Sequence, residues 1–279
     1  MLRWLRVMSH PDGGIAFFND AAFGIAPDIA DLMEYAAALG LVLDQAPLSD
    51  SEALPDSGYI RLQAGPAVVI ADVGLIGPDY LPGHAHADTL SFELSLFGQR
   101  VMVNGGTSTY ETNAARLLQR GTAMHNTVMV DGADSSEVWS SFRVARRARP
   151  LDVQWGREGE VRWIEAGHDG YRRLPGQVTH RRRWMLEPDR LRVVDQLNGK
   201  YREANAAFRF GPGLPVDLTA SNVGRAGLDE HTLHWQTEGA LNIDVRPGFW
   251  HPRFGASEGC QVLVVTFTGT TLETEIHWH

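Results

Sequence analysis

From about residue 58 onward, short apolar runs alternate with turn-forming residues, and this pattern constrains the fold more than any other feature. The runs include "AVVIADVG", "HNTVMVDG", "NAAFRFGP" and "GCQVLVVTFTG", and they are separated by Gly, Pro, Asp and Asn. Short strands with regularly spaced turns are typical of antiparallel sandwiches. We therefore predict a mainly β fold, namely a large antiparallel multi-stranded β-sandwich with a short N-terminal helical segment.

Two hairpins can be located from their turns. "TLSFELSLFGQRVMVNGG" has "FGQ" at its tip, and "EPDR" joins "RRRWML" to "LRVVDQL". Gly, Pro and Asp favour tight turns because they accept or impose the backbone angles that a turn requires. We expect each pair of flanking runs to form neighbouring strands of one sheet.

The first 45 residues differ from the rest of the chain. In "APDIADLMEYAAALGL", apolar residues recur at helical spacing, Asp28 offers an N-cap, and Gly40 supplies a C-terminal stop. One amphipathic helix cannot bury its apolar stripe alone, so we expect it to pack on the following domain or on further helices. The predicted domains are a helical segment over 1–45 and a β-sandwich over 46–279.

Composition excludes several classes of protein. The formal net charge of −9 argues against a general nucleic-acid binder, and the single cysteine, Cys260, excludes an intrachain disulfide framework. Cys260 lies in an apolar run, where a buried thiol is expected. No run of apolar residues is long enough to cross a membrane, and the first residues lack the apolar core of a secretory signal.

A histidine pair opens the long strand run, in "PGHAHAD". In an extended segment His84 and His86 would project to the same face, and Asp88 could join them. Asn104 and His125 lie near the ends of later strand runs. A His, an oxygen donor and a second His from strand ends would suit a zinc site with an open fourth position. Two unremarkable loop histidines are the competing interpretation.

The residues around this pair resemble a known family. "GHAHADTLSFELSLFGQRVMVNGGTSTYE", followed by "GTAMHNTVMVDGADSSEVWSSFRVARRA", resembles the heparinase II/III-like polysaccharide lyases over about residues 58–150. "GYRRLPGQVTHRRRWML" is similar to a later segment of that family. The resemblance implies an N-terminal α/α toroid followed by antiparallel β-sheets, with the active cleft between them. This chain matches the β part, and 1–45 resembles the last helical segment before it.

The resemblance also implies roles for individual residues. His84 would lie in the cleft and take part in catalysis or in neutralising the substrate carboxylate. His86 and His125 would bind a structural zinc. Asn104 stands where the family usually has an aspartate, and a neutral amide is a weaker zinc ligand than a carboxylate. The family's exported members suggest a periplasmic or extracellular location, and a cytoplasmic location is the alternative, since the first residues do not resemble a secretory signal.

The implied reaction is β-elimination from a uronate-containing, anionic polysaccharide, catalysed by a carbon–oxygen lyase. Heparan sulfate and other glycosaminoglycans, alginate, an unsulfated glycuronan and a bacterial capsule all remain open as substrates. The family's catalytic tyrosine and its partners come from the toroid, so this chain would hold half of an active site. The missing toroid would then be the main partner.

Two other functions compete with the lyase. The first is a non-catalytic carbohydrate-binding or structural β-sandwich, which the missing toroid and Asn104 favour. The second is a cupin-like metal enzyme, suggested by His-x-His and a distant histidine. Cupin-type sites usually add a glutamate soon after the pair, whereas Glu93 lies seven residues beyond His86 with opposite strand parity.

Basic clusters over 143–149 and 181–183 fit a polyanionic substrate only weakly. Alternation along a strand would send neighbouring arginines to opposite faces, so we expect solvated side chains or cross-strand pairs with acidic residues. His180 is expected to be structural.

Four further residues are candidates for contacts to a sugar of the substrate. Arg116 and Tyr110 lie in the connection between the histidine-bearing segments, which places them well for a substrate contact. Trp139 and Trp155 offer rings that can stack on a sugar, although we expect packing in the core for both of them.

Overall fold

The computed structural model describes residues 1–41 and 46–279. Its helices are α1 (Leu2–Val7), α2 (Ile29–Ala38) and α3 (Ala114–Arg120), with short 3₁₀ helices at Thr122–Met124 and Gly170–Arg173. None of the helices among these residues is long and apolar enough to span a membrane.

The predicted N-terminal helix is confirmed as α2. Asp28 is its N-cap residue in extended conformation, although its side chain makes no capping hydrogen bond. Gly40 has a φ of +71°, a left-handed conformation that glycine adopts without steric cost, and it terminates the helix as expected. The sequence did not predict α1, and the predicted domain boundary at residue 45 lies outside the described residues.

Nearly all of the remaining regular structure is β-strand. The strands are β1 (Ser51–Leu54), β2 (Tyr59–Ala64), β3 (Ala67–Asp72), β4 (Phe92–Leu96), β5 (Gln99–Met102), β6 (Val128–Val130), β7 (Val138–Trp139), β8 (Arg143–Val144), β9 (Pro150–Glu158), β10 (Val161–His168), β11 (Thr179–Glu187), β12 (Arg190–Asn198), β13 (Ala204–Arg209), β14 (Val216–Ala220), β15 (Val223–Leu228), β16 (His231–Glu238), β17 (Asn242–Trp250), β18 (Glu258–Phe267) and β19 (Thr271–Trp278).

These strands form antiparallel sheets. Strands β1 to β5 make a five-stranded meander, and an eight-stranded sheet has the order β14-β15-β16-β19-β12-β11-β10-β9. A four-stranded sheet has the order β17-β18-β13-β6, and β7 pairs with β8 alone. The predicted fold class, a mainly β multi-stranded sandwich with few helices, is confirmed.

Both predicted hairpins are present. Phe97 and Gly98, with φ of 52° and 86°, turn β4 into β5, and Pro188 and Asp189 turn β11 into β12. In the Phe97–Gly98 turn, positive φ at both central residues gives a twist that matches that of the flanking strands.

One apolar core lies between the sheets. It takes side chains from the five-stranded sheet (Leu62, Leu94), the eight-stranded sheet (Trp184) and the four-stranded sheet (Phe208, Leu263), all of them buried. The long connection between β3 and β4, residues 73–91, leaves this core and carries the histidine pair.

Candidate functional site

A segment near the N-terminus, residues 8–23, lies against the five-stranded sheet, and we call it the N-terminal strap. His10 fastens it, because its Nε2 lies 2.9 Å from Oε2 of Glu93 and its Nδ1 lies 2.7 Å from Oγ of Ser95. The backbone N–H of Phe17 also donates to Glu93, over 3.0 Å. These buried contacts fix the strap on β4 and thereby place its far end over the histidine pair.

Asp20, on that far end, is the centre of the site. Its carboxylate lies 2.9 Å from Nδ1 of His84 and 2.8 Å from Nε2 of His86, through different oxygens. It also accepts two hydrogen bonds from the guanidinium of Arg116 and one from Oγ1 of Thr107, at 3.1 Å. No motif in the sequence indicates this role, since Asp20 lies in an irregular segment 64 residues before His84.

Asp20 is ionised. Burial alone would raise the pKa of this carboxyl, but the hydrogen bonds from His86 and Arg116 outweigh burial and hold the pKa well below its usual range. An ionised carboxylate can only accept hydrogen bonds, so each histidine must donate to it. In the neutral form of the His84 ring, the single proton therefore lies on Nδ1 and Nε2 carries the lone pair.

The two histidines differ in exposure. The side chain of His84 is 61% exposed, whereas that of His86 is fully buried. Residues 82–88 form turns and bends, not the extended segment that was expected. Both rings nevertheless reach the same carboxylate, so the structure brings them together and turns only His84 toward solvent.

His125 joins the pair from the inner side. Its Nε2 lies 3.2 Å from Nδ1 of His86, and burial holds the pKa of His125 well below its usual value. Two imidazole nitrogens on one tetrahedral zinc would be roughly 3.3 Å apart, so this pair fits two positions of such a site. Asn104 is occupied elsewhere, because its Oδ1 accepts the backbone N–H of Asn126 at 3.0 Å.

The donor set is therefore incomplete for zinc. Within residues 1–41 and 46–279 no group of three His, Cys, Asp or Glu side chains is arranged to hold a metal. Asp88 keeps one buried carboxylate oxygen without a hydrogen-bond partner, while its other oxygen accepts the N–H of Asn19.

The zinc site at His86, Asn104 and His125 stays a prediction that metal analysis can check. It predicts about one zinc per purified chain, lost in the His86→Ala, His125→Ala double variant. The matched control is His231→Ala, because His231 is stacked on Phe97 away from these residues. Wild-type protein without zinc would contradict the prediction.

Arg116 holds the carboxylate of Asp20 in place from the buried side of the site. It lies on α3, whose N-cap Asn113 accepts the N–H of Arg116 at 2.9 Å, and its side chain is completely buried. Its guanidinium carbon lies 5.0 Å from the ring centre of Tyr110 and 5.5 Å from that of Phe142. The Arg116 side chain is therefore bound to Asp20 and Ser141 inside the protein and is not exposed beside His84.

Tyr110 stands beside His84, with 5.7 Å between the two ring centres. Burial and the charge of Asp20 raise the pKa of Tyr110, so its phenol is protonated at neutral pH. The exposed imidazole and this phenol are the two groups of the site that can exchange a proton with a bound molecule.

A groove of about 850 Å³ opens next to His84. Its walls come from the β1–β2 turn and from the connection that carries the histidines, and they include Ser57, Gly74, Tyr80 and Leu81. Tyr80 and Leu81 are largely exposed. His84 thus lies at the edge of a depression that is open to solvent.

Arginines of the 143–149 cluster pair with acidic residues and those of the 181–183 cluster alternate between the two faces of their strand, as expected. Arg146 pairs with Glu137 and Arg147 with Asp79, on the surface, whereas Arg182 is buried between neighbours that face solvent. His180 is structural, as predicted, since it is buried against the carboxylate of Asp195 at 2.6 Å.

Comparison with known sequences gives two matches. Residues 46–279 match the family described as heparinase II/III-like, C-terminal. FtsZ-localized protein C of Caulobacter vibrioides is 30% identical over an alignment of 266 positions, which covers 86% of this chain and 45% of that protein.

Solved structures share the fold. A heparan sulfate lyase, HepC from Pedobacter heparinus, matches with a TM-score of 0.80 and 17% identity over 100% of this chain and 46% of its own. A heparinase III, the BT4657 gene product, matches with a TM-score of 0.79 and 16% identity, again over 100% and 46%. At such identities the likeness shows the fold alone.

The chain spans about half the length of these relatives. Its β-sheets coincide with those of the two lyases, and the family match covers the whole sandwich. The resemblance that was visible in the sequence is thus confirmed, and the chain belongs to the heparinase II/III-like family, whose C-terminal domain it contains.

Proposed function

We propose that this chain is the β half of a polysaccharide lyase that cleaves an anionic, uronate-containing polysaccharide by β-elimination. One observation carries the proposal. His84 presents an exposed imidazole at the edge of a groove, and the buried, ionised Asp20 holds its Nδ1 at 2.9 Å. An imidazole oriented by a carboxylate is the arrangement that general-base catalysis uses.

In the proposed reaction a base removes the proton from C5 of the uronate. The electron pair left on C5 forms the C4–C5 double bond, and the C4–oxygen bond breaks. The departing oxygen takes a proton from an acid. Because C5 lies next to a carboxylate, negative charge accumulates there, and the carboxylate must be neutralised before the proton becomes acidic enough.

His84 and Tyr110 fit the two proton-transfer roles. Nε2 is the nitrogen of the exposed His84 ring that does not contact Asp20, and it would accept the C5 proton, while Asp20 stabilises the imidazolium that forms. The protonated phenol of Tyr110, next to His84, would supply the proton to the leaving oxygen. Asp20 acts through His84 and is a positioning residue.

Neutralisation of the substrate carboxylate is assigned to the other half of the site. Arg116, which shares the carboxylate of Asp20 with His84, is buried and bound to that carboxylate. The lyases of this fold are about twice as long as this chain. The neutralising groups would come from an α/α toroid, on the same polypeptide or on a separate one.

The His84→Ala variant tests this proposal. With the toroid present, we expect the rate of formation of unsaturated uronate, followed by its ultraviolet absorbance, to fall by roughly 100-fold or more. The panel of substrates is heparan sulfate, alginate, an unsulfated glycuronan and a bacterial capsule. The fold should be unaffected, since the His84 side chain is largely exposed.

The control is His231→Ala, another histidine outside the core, which should leave the rate unchanged. An unchanged rate in His84→Ala would refute the role of this residue. Absence of unsaturated product from every polyuronate would refute the lyase itself.

A second function is favoured by one specific observation. The 30% identity to FtsZ-localized protein C exceeds the 16–17% identity to the lyases. That name places the relative with FtsZ and says nothing of catalysis. The alternative is therefore a non-catalytic β-sandwich that binds carbohydrate or partner proteins, and it predicts binding of polysaccharide without any unsaturated product.

A further inference from the structure

A small hairpin borders the site. In β7 and β8, Val138 pairs with Val144 and Trp139 pairs with Arg143. Val138 is buried and Val144 packs on the apolar cluster of Ile76, Ala85 and Ala148, so this cross-strand pair forms the inner face of the hairpin. Trp139 and Arg143 lie on the outer face, since neighbours along a strand point to opposite sides.

The tip of the hairpin contacts His84, the proposed catalytic base. Phe142 is 43% exposed, and its ring meets that of His84 edge-on, with 5.8 Å between the ring centres. The ring of Tyr110 lies 5.2 Å from that of Phe142. Residues 138–144 thus form a wall of the site, which contacts His84 through Phe142 and also carries Trp139.

Two buried arginines hold this wall in place. Arg120 donates to the carbonyl oxygens of Ser140 and Arg143, at 3.0 and 3.2 Å, and Arg116 donates to that of Ser141 at 3.0 Å. Arg116 also binds Asp20, so the wall and His84 share one support. A surface that is already ordered loses little conformational entropy when a ligand binds.

The outer face combines an aromatic ring with a free cation. Trp139 is 54% exposed, so the expectation that it packs in the core is wrong. The guanidinium carbon of Arg143 lies 5.9 Å from the ring centre of Trp139. Unlike Arg146 and Arg147, Arg143 has no carboxylate within ion-pair distance among the residues that the structure describes.

We propose that the 138–144 hairpin is a binding subsite for an acidic sugar residue of the polysaccharide. The rings of Phe142 and Trp139 would pack against the C–H faces of successive sugars, and Arg143 would pair with a carboxylate. Aromatic rings bury apolar sugar faces, while a guanidinium matches the two oxygens of a carboxylate. The inference deepens the proposed function, because it names the chemistry that holds the substrate beside His84.

Binding of defined polysaccharides to the 279-residue chain tests the subsite. The probes are alginate, heparan sulfate and an unsulfated glycuronan, with dextran as the neutral control, measured by calorimetry. We expect Trp139→Ala and Arg143→Gln each to raise the Kd of the most tightly bound polyuronate by roughly 10-fold or more. Both side chains are exposed, so the melting temperatures should match that of the wild type.

Two variants serve as matched controls. Trp155 lies on the edge strand β9 and is 43% exposed, so the expectation of core packing is wrong for this residue too, and Arg202 is an exposed arginine near Asp131. Trp155→Ala and Arg202→Gln should bind like the wild type. Unchanged affinity in both hairpin variants, equal affinity for dextran, or no binding of any polyuronate would each overturn the subsite.

The same measurements distinguish an error in the proposed subsite from an error in the proposed lyase activity. Elimination with an unchanged KM in Trp139→Ala and Arg143→Gln would reject the subsite and leave the lyase standing. Binding that depends on the hairpin, without unsaturated product, would support the subsite and reject the lyase. Binding retained but product lost in His84→Ala would support both.

Discussion

Replacing Asp20 with asparagine should lower the free energy of unfolding by about 3–5 kcal/mol, because the change leaves the buried Arg116 without its counter-charge. The carboxylate accepts two hydrogen bonds from that guanidinium and contacts both His84 and His86. Neutral asparagine keeps similar volume but removes the charge that compensates burial of Arg116. Chemical denaturation followed by circular dichroism measures the loss.

The control is an ion pair at the surface. Arg192 and Glu273 lie 2.7 Å apart on neighbouring strands, and both are partly exposed. Glu273→Gln should cost only about 0–1 kcal/mol, because solvent screens such pairs. Similar losses in both variants would mean that Asp20 is not the counter-charge that Arg116 needs. Asp20→Asn should also free the His84 ring, which ring-proton linewidths in NMR would report.

The second large effect concerns Asp195, which is buried in the eight-stranded sheet. Its carboxylate accepts two hydrogen bonds from Arg182 and lies 2.6 Å from Nε2 of His180. Burial alone would raise the pKa of Asp195, but the charge of Arg182 and the contact with His180 outweigh it and lower the pKa to about 2. Arg182 also donates to the carbonyl oxygens of Leu90 and Asn126.

This lowered pKa makes stability depend on pH with a definite sign. A carboxyl whose pKa is lower in the folded state than in the unfolded state stabilises the fold above its unfolded pKa, near 3.8. The contribution, about 2 kcal/mol, is lost as the pH falls through the folded pKa near 2. Asp195→Asn should therefore be strongly destabilising at pH 6, and its deficit relative to wild type should shrink between pH 4 and pH 2.

Asp217→Asn is the matched control for that measurement. Asp217 faces Arg225 over 3.4 Å with both side chains largely exposed, so its replacement should change stability little at any of these pH values. A deficit in Asp195→Asn that stays constant down to pH 2 would contradict the pKa assigned to Asp195.

Most of the fold was predictable because the signals are local. Burial alternates along all of β11, and the turns at Phe97–Gly98 and Pro188–Asp189 depend on residues adjacent in sequence. The helix at Ile29–Ala38 likewise follows from spacing and its end residues. Short strands such as β7 and β8 carry too few residues for a period, and the exposure of Trp139 was accordingly missed.

The sequence by itself determined the sandwich, its hairpins, the family and the three histidines of the candidate site. Only the tertiary structure showed that Asp20 joins His84 and Arg116, which lie 64 and 96 residues away along the chain. Such convergence depends on how the N-terminal strap, α3 and the β3–β4 connection pack together, and packing between distant segments leaves no periodic trace in the sequence.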